Sequence, residues 1–167
     1  SPNYLKKLRE VCTKYNIHLI ADEIASGYGR TGKMFACNHA GITPDIMCVG
    51  KGLTGGYLPM ALTLTNDKIY KAFYADYNKG KMFIHSHTFS GNPLASAAAL
   101  EVLNILKDEK IIEKAQKKAV FFNNLIKESF SQNKFVGDIR NIGLINAIEL
   151  VKDKETREAL VPYGRDP

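Results

Sequence analysis

Lys51 stands between Gly50 and Gly52, just past the apolar run Ile46-Met47-Cys48-Val49. A lysine at the end of a buried strand is placed to lose water around its ammonium. That lowers its pKa and frees the neutral amine to attack a carbonyl carbon. A shift of one to two units corresponds to roughly 1.4–2.8 kcal/mol between the protonation states. The same spacing also suits a lysine whose stem follows the strand end while its head reaches solvent. Spacing alone leaves both readings open.

Asp22 narrows them. It closes a second apolar run, Ile17-His18-Leu19-Ile20-Ala21, and a carboxylate in such a place needs a positive partner. The protonated ring nitrogen of pyridoxal phosphate is one. An aspartate there keeps the ring cationic and able to accept the electrons released when a Cα proton leaves. Arg30, or a helix start that Asp22 caps, is another. Glu23 suits the same structural work and carries no catalytic assignment.

A third constellation spans Met82 to Asn92. His85 and His87 would project from one face if this segment were a strand, and Asp22 would then be a distant third metal ligand. No further His or Cys has matching spacing, so no metal site is expected. Thr88 and the backbone N–H groups near Asn92 suit a phosphate instead, and a polar loop before a helix is the plain alternative. The string Gly50-Lys51-Gly52-Leu53-Thr54-Gly55-Gly56 imitates a phosphate-binding loop. In that motif the lysine follows the glycines and precedes Ser or Thr, so the match fails.

The elements that must position these residues follow from periodicity. Leu5, Leu8, Val11, Cys12 and Tyr15 recur at helical spacing over Tyr4–Tyr15, with Asn16 as a cap. Ile17–Ala21 and Ile46–Val49 read as strands buried on both faces, and Leu58–Thr65 as a third, followed by a short helix near Asp67–Tyr74. This alternation implies an α/β layer with a largely parallel sheet. Ligands bind beyond the carboxyl ends of such strands, where both Asp22 and Lys51 fall. Asn92-Pro93 opens a helix through Leu106, a second runs from Ile111 to Phe130, and Phe135–Arg140 and Leu144–Val151 read as strands around Asn141-Ile142-Gly143. A boundary is expected near residues 107–110, dividing 1–108 from 109–167.

Of the 167 residues 45% are hydrophobic and 24% charged, a balance that allows a buried core. The net charge of +6 is densest from Lys107 to Lys118, where Asp108, Glu109 and Glu113 interrupt it. That pattern is a solvated helix face and not a nucleic-acid site. No apolar run approaches the ~20 residues of a membrane span. Ser1-Pro2-Asn3-Tyr4 lacks the order of a signal peptide, so the expectation is a cytoplasmic protein or an internal piece. Cys12, Cys37 and Cys48 are expected to be reduced thiols, mostly buried.

Taken in order, Leu19-Ile20-Ala21-Asp22-Glu23-Ile24, Gly27-Tyr28-Gly29-Arg30-Thr31-Gly32, Pro44-Asp45-Ile46 and Lys51-Gly52-Leu53-Thr54-Gly55-Gly56 resemble the class III aminotransferases. The resemblance implies a fold type I transferase dependent on pyridoxal 5'-phosphate. It implies that this chain is the second half of the large mixed or parallel-sheet domain plus the start of the small C-terminal α+β domain. Asp22 and Lys51, twenty-nine positions apart, match the ring-nitrogen aspartate and the Schiff-base lysine. His87 and Thr88 match positions that reach the cofactor phosphate of a neighbouring subunit in a homodimer. Ser86 stands where the family usually has a substrate-contacting glycine, and Arg30 is a candidate substrate-side or loop-anchoring cation.

Within the class, Phe35–Gly41 and Thr54–Pro59 are most similar to the branch that transaminates 8-amino-7-oxononanoate, with S-adenosylmethionine as amino donor, in biotin synthesis. Other branches, acting on ω-amino acids or ornithine-type substrates, are the first alternative. A metal-dependent hydrolase built on His85 and His87 and a non-catalytic piece are the others. The family's phosphate loop and substrate arginine match nothing here. The chain by itself is therefore expected to bind cofactor weakly and to have little activity.

Overall fold

The computed structural model describes residues 1–160; the last part of the expected second unit, 161–167, lies outside them. Helix α1 (Pro2–Lys14) turns Leu5, Leu8 and the buried Cys12 inward, with Pro2 in the first turn, where its missing N–H costs nothing. Asn16 stops it by adopting φ +52. The N–H groups of Asn16 and Ile17 then donate to the carbonyls of Thr13 (3.3 Å) and Cys12 (2.8 Å), which satisfies the last turn of the helix.

Strands β1 (Ile20–Asp22), β2 (Ile46–Val49) and β3 (Leu62–Thr65) form one sheet in that order. β1 and β2 are parallel and β3 returns antiparallel, so the sheet is mixed rather than largely parallel. β3 starts at Leu62 and not at Leu58. The Thr54 hydroxyl donates to the Leu58 carbonyl at 2.6 Å, and Pro59 has no N–H to give to a ladder. The first apolar run is not buried on both faces either. Ala21, Met47 and Val49 share the face toward α4 (Pro93–Asp108), where Ala99 joins Val49 and Leu53 in the core. Ile20 points the other way and is 60% exposed, because no described element covers it.

The start of α4 is as the sequence predicts, whereas α1 begins at Pro2, ahead of the expected Tyr4. The Asn92 side chain accepts the N–H groups of Leu94 (3.0 Å) and Ala95 (3.1 Å) ahead of Pro93. Asn66 likewise caps α3 (Asp67–Phe73) through Ile69. Lys110, at φ +52, turns the chain into α5 (Ile111–Phe130). The basic stretch there is solvated, with Lys114 paired to Glu109 at 3.3 Å. Beyond it β4 (Val136–Ile142) and β5 (Ile145–Asp153) make an antiparallel hairpin, which β6 (Glu158–Ala159) extends into a second sheet. No helix among the described residues is long and apolar enough to cross a membrane.

Candidate active site

Parallel pairing sets Ala21 opposite Met47 and Asp22 opposite Cys48. Asp22 is therefore the last residue of β1, and Lys51 follows Val49 and Gly50 at the same end of β2. The Glu23 N–H closes the pair by donating to the Cys48 carbonyl at 2.8 Å. One Asp22 oxygen accepts the Ile24 N–H at 3.0 Å, the local turn that aspartates favour. Ile24 in turn packs beside Gly50, where an added β-carbon would lie 3.6 Å from its Cγ2. The carboxylate and the lysine thus share one rim. No ion pair joins Asp22 to Arg30 among the described residues.

Lys51 opens a short 3₁₀ turn, Lys51–Thr54, that buries Leu53 and Thr54 beneath it. The lysine itself is exposed. The burial expected around its side chain is not supplied by these residues, because the rim is open to solvent above the turn. Its backbone is unusual: φ is +45, and nearby Tyr28 has φ +57. Each such conformation costs a residue with a β-carbon roughly 1–2 kcal/mol. Strain of this kind persists only where the surroundings over-determine it, and it clusters at functional sites. The Tyr28 ring packs on Gly52, where a β-carbon would come to 3.0 Å from Tyr28 Cβ. It also meets Phe35 edge-on at 5.8 Å. Burial raises the Tyr28 phenol's pKa above its ordinary value.

Glu23 does work that the sequence did not disclose. Only 2% exposed, its carboxylate accepts the N–H groups of Ala36 (3.0 Å) and Cys37 (2.9 Å), and also the Ser26 hydroxyl. Its carbonyl accepts the Gly27 N–H at 2.9 Å. One residue therefore ties both ends of the loop between β1 and α2 (Cys37–Ala40). Ser26 three residues on was the one local signal, since the backbone donors lie thirteen and fourteen residues away.

The segment 81–87 is neither strand nor helix, so His85 and His87 do not line one strand face. His87 instead accepts the Phe89 N–H through Nδ1 (3.2 Å) and donates its own N–H to Ser90 Oγ (3.2 Å). Ser86 and Thr88 are exposed on this loop. The first N–H groups of α4 are already taken by Asn92, which removes them as phosphate donors. No group of three or more His, Cys, Asp or Glu is placed to hold a metal among the described residues. Cys12, Cys37 and Cys48 are free thiols, two buried and one half-buried.

The family model for class III aminotransferases matches residues 1–166, and the chain belongs to that family. It is 47% identical over 163 residues to the adenosylmethionine-8-amino-7-oxononanoate aminotransferase of Aquifex aeolicus, covering 98% of this chain and 36% of the relative. The crystal structure of the same-named protein from Methanocaldococcus jannaschii superposes with a TM-score of 0.90 at 44% identity, covering 96% of this chain and 37% of the other. A putrescine–pyruvate aminotransferase of Pseudomonas aeruginosa is 41% identical, with 96% and 34% covered. The chain spans about a third of the length of these relatives. The expected mixed α/β aminotransferase fold, present in part, is thereby borne out, and family membership sets the hydrolase alternative aside.

Proposed function

We propose that the intact protein is a pyridoxal-phosphate-dependent aminotransferase that converts 8-amino-7-oxononanoate to 7,8-diaminononanoate with S-adenosylmethionine as donor. The observation that carries the chemistry is the shared rim: a carboxylate and a primary amine at the ends of two hydrogen-bonded parallel strands. Both are exposed, and the Lys51 amine makes no ion pair among the described residues. This donor set fits the ring nitrogen and carbonyl of pyridoxal phosphate. When bound, that cofactor supplies a sink for the electron pair left by a departing Cα proton.

In this reading Lys51 and Asp22 would hold the cofactor, the lysine amine at its carbonyl carbon and the carboxylate at its ring nitrogen, which it would keep protonated. Lys51 Nζ would carry the proton to and from the substrate carbon. His87 and Thr88, exposed on their loop, serve the phosphate of the partner subunit in a homodimer, with Ser86 and Arg30 on the substrate side. Residues 1–108 and 109–167 are the end of the large domain and the start of the small one. The free thiols suit a reducing, cytoplasmic setting.

Similarity to relatives named for 8-amino-7-oxononanoate favours that substrate. The 41% identity to a putrescine–pyruvate enzyme keeps a diamine as the second reading. Borohydride reduction of the intact protein with pyridoxal phosphate, followed by peptide mapping, should place the pyridoxyl group on Lys51. Lys51→Ala should lower turnover about a hundredfold or more. Transamination from S-adenosylmethionine should exceed that from putrescine; the reverse order overturns the substrate assignment.

A further inference from the structure

The loop Gly27–Gly32 is held from two sides. On one, the Tyr28 ring rests on Gly52, next to Lys51. On the other, α5 and the β4–β5 turn grip it. Ile112 fills the space over Gly29, where a β-carbon would come to 2.6 Å from its Cδ1. The Gln116 side-chain amide donates to the Gly32 carbonyl, and the Leu144 N–H donates to the Arg30 carbonyl at 2.9 Å. Asn123 anchors the turn itself by donating to the Gly143 carbonyl at 3.3 Å. Ile112, Gln116 and Asn123 lie at spacings of four and seven, one face of α5.

We propose that Gln116 is a positioning residue for Lys51, acting through Tyr28. Two left-handed backbones lie side by side at this rim. Tyr28 (φ +57) and Lys51 (φ +45) would each relax elsewhere unless held. Tyr28 is held because its successors Gly29 to Gly32 are fixed from α5. The ring then fixes Gly52, and with it the turn from which Lys51 projects. The amide of Gln116 is the polar side-chain contact from α5 to this loop among the described residues, so it registers one sheet's unit against the other's lysine. This inference rests on the proposed role of Lys51 as the cofactor-bearing residue.

The test is a double-mutant cycle in the intact protein, read as the dissociation constant for pyridoxal phosphate and as the site of borohydride trapping. Gln116→Ala should weaken cofactor binding about fivefold, the equivalent of one lost hydrogen bond. In a Tyr28→Ala background the same substitution should have no further effect, because the ring through which it acts is gone. Independent, multiplicative losses overturn the proposal, as does an unchanged dissociation constant with a lowered Tm. If Gln116→Ala fails to fold, Gln116→Met, which keeps volume and removes the donor, replaces it in the cycle. Trapping at a residue other than Lys51 in the wild type overturns the underlying reading; trapping at Lys51 with independent losses overturns only the role of Gln116.

Discussion

Glu23 accepts the backbone N–H of Cys37 at 2.9 Å, which holds its carboxylate beside the Cys37 thiol. Burial first, then the neighbouring carboxylate, pushes the Cys37 thiol up to about 11. At pH 8 only about one molecule in a thousand carries the thiolate, which is the reactive form. Cys37 should therefore resist iodoacetamide in the folded protein while the half-buried Cys48 labels first, as peptide mapping would read. Rapid labelling of Cys37 without unfolding would contradict this. Glu23→Gln, which removes the negative charge, should speed it.

The same carboxylate predicts a stability effect. Glu23→Ala removes an acceptor from the N–H groups of Ala36 and Cys37 and from the Ser26 hydroxyl. Buried donors left unpaired cost about 1–3 kcal/mol each. A loss of roughly 3 kcal/mol is expected by urea denaturation of the intact protein. Ser26→Ala should cost far less, because it leaves both backbone donors paired.

What was legible in the sequence was local. The Asn92-Pro93 start, the helix from Ile111 to Phe130 and the strand Ile46–Val49 appear where periodicity and capping place them, since each depends on residues within a few positions. Asp22 and Lys51 were legible as strand-end residues for the same reason. Their burial was not, because it depends on what covers the rim. Nor was the work of Glu23, whose backbone partners lie more than a dozen residues on, or the approach of Gly143 to Thr31, which joins distant elements. His85 and His87 misled because i, i+2 spacing means one face only if a strand forms. Here the backbone turns at Thr88–Gly91 instead.

Asp45 supplies a pH dependence. Its carboxylate pairs with Arg9 at 2.7 Å and accepts the Leu19 N–H at 2.8 Å. The Arg9 hydrogen bond, followed by that from Leu19, holds its pKa below the usual carboxylate range. A lowered folded pKa means that the contribution is fully present above the unfolded value, near 3.9, and is lost as pH falls through the folded one. Asp45→Asn should cost about 1–2 kcal/mol at neutral pH. The gap between variant and wild type should close in acid, in the window below about pH 4. A gap independent of pH would show that the charge is not what matters.

Gly143 offers the most severe single substitution. It sits at φ +58, and a β-carbon there would lie 2.2 Å from the Thr31 carbonyl carbon and 2.5 Å from the Gly32 nitrogen. Those atoms are backbone, so no side chain can swing aside to make room. Gly143→Ala must push the hairpin turn away from the glycine loop, stretching the bond from the Leu144 N–H to the Arg30 carbonyl. Backbone strain and overpacking together should cost about 3 kcal/mol or more. Gly41→Ala is the control: φ is +62 there, but nothing lies within 4 Å of the added carbon, so only the conformational penalty, roughly 1–2 kcal/mol, remains. Hydrogen exchange gives the sharper readout. In Gly143→Ala the Leu144 amide should lose protection while those inside α4 keep theirs, because the displaced contact is the one between turn and loop.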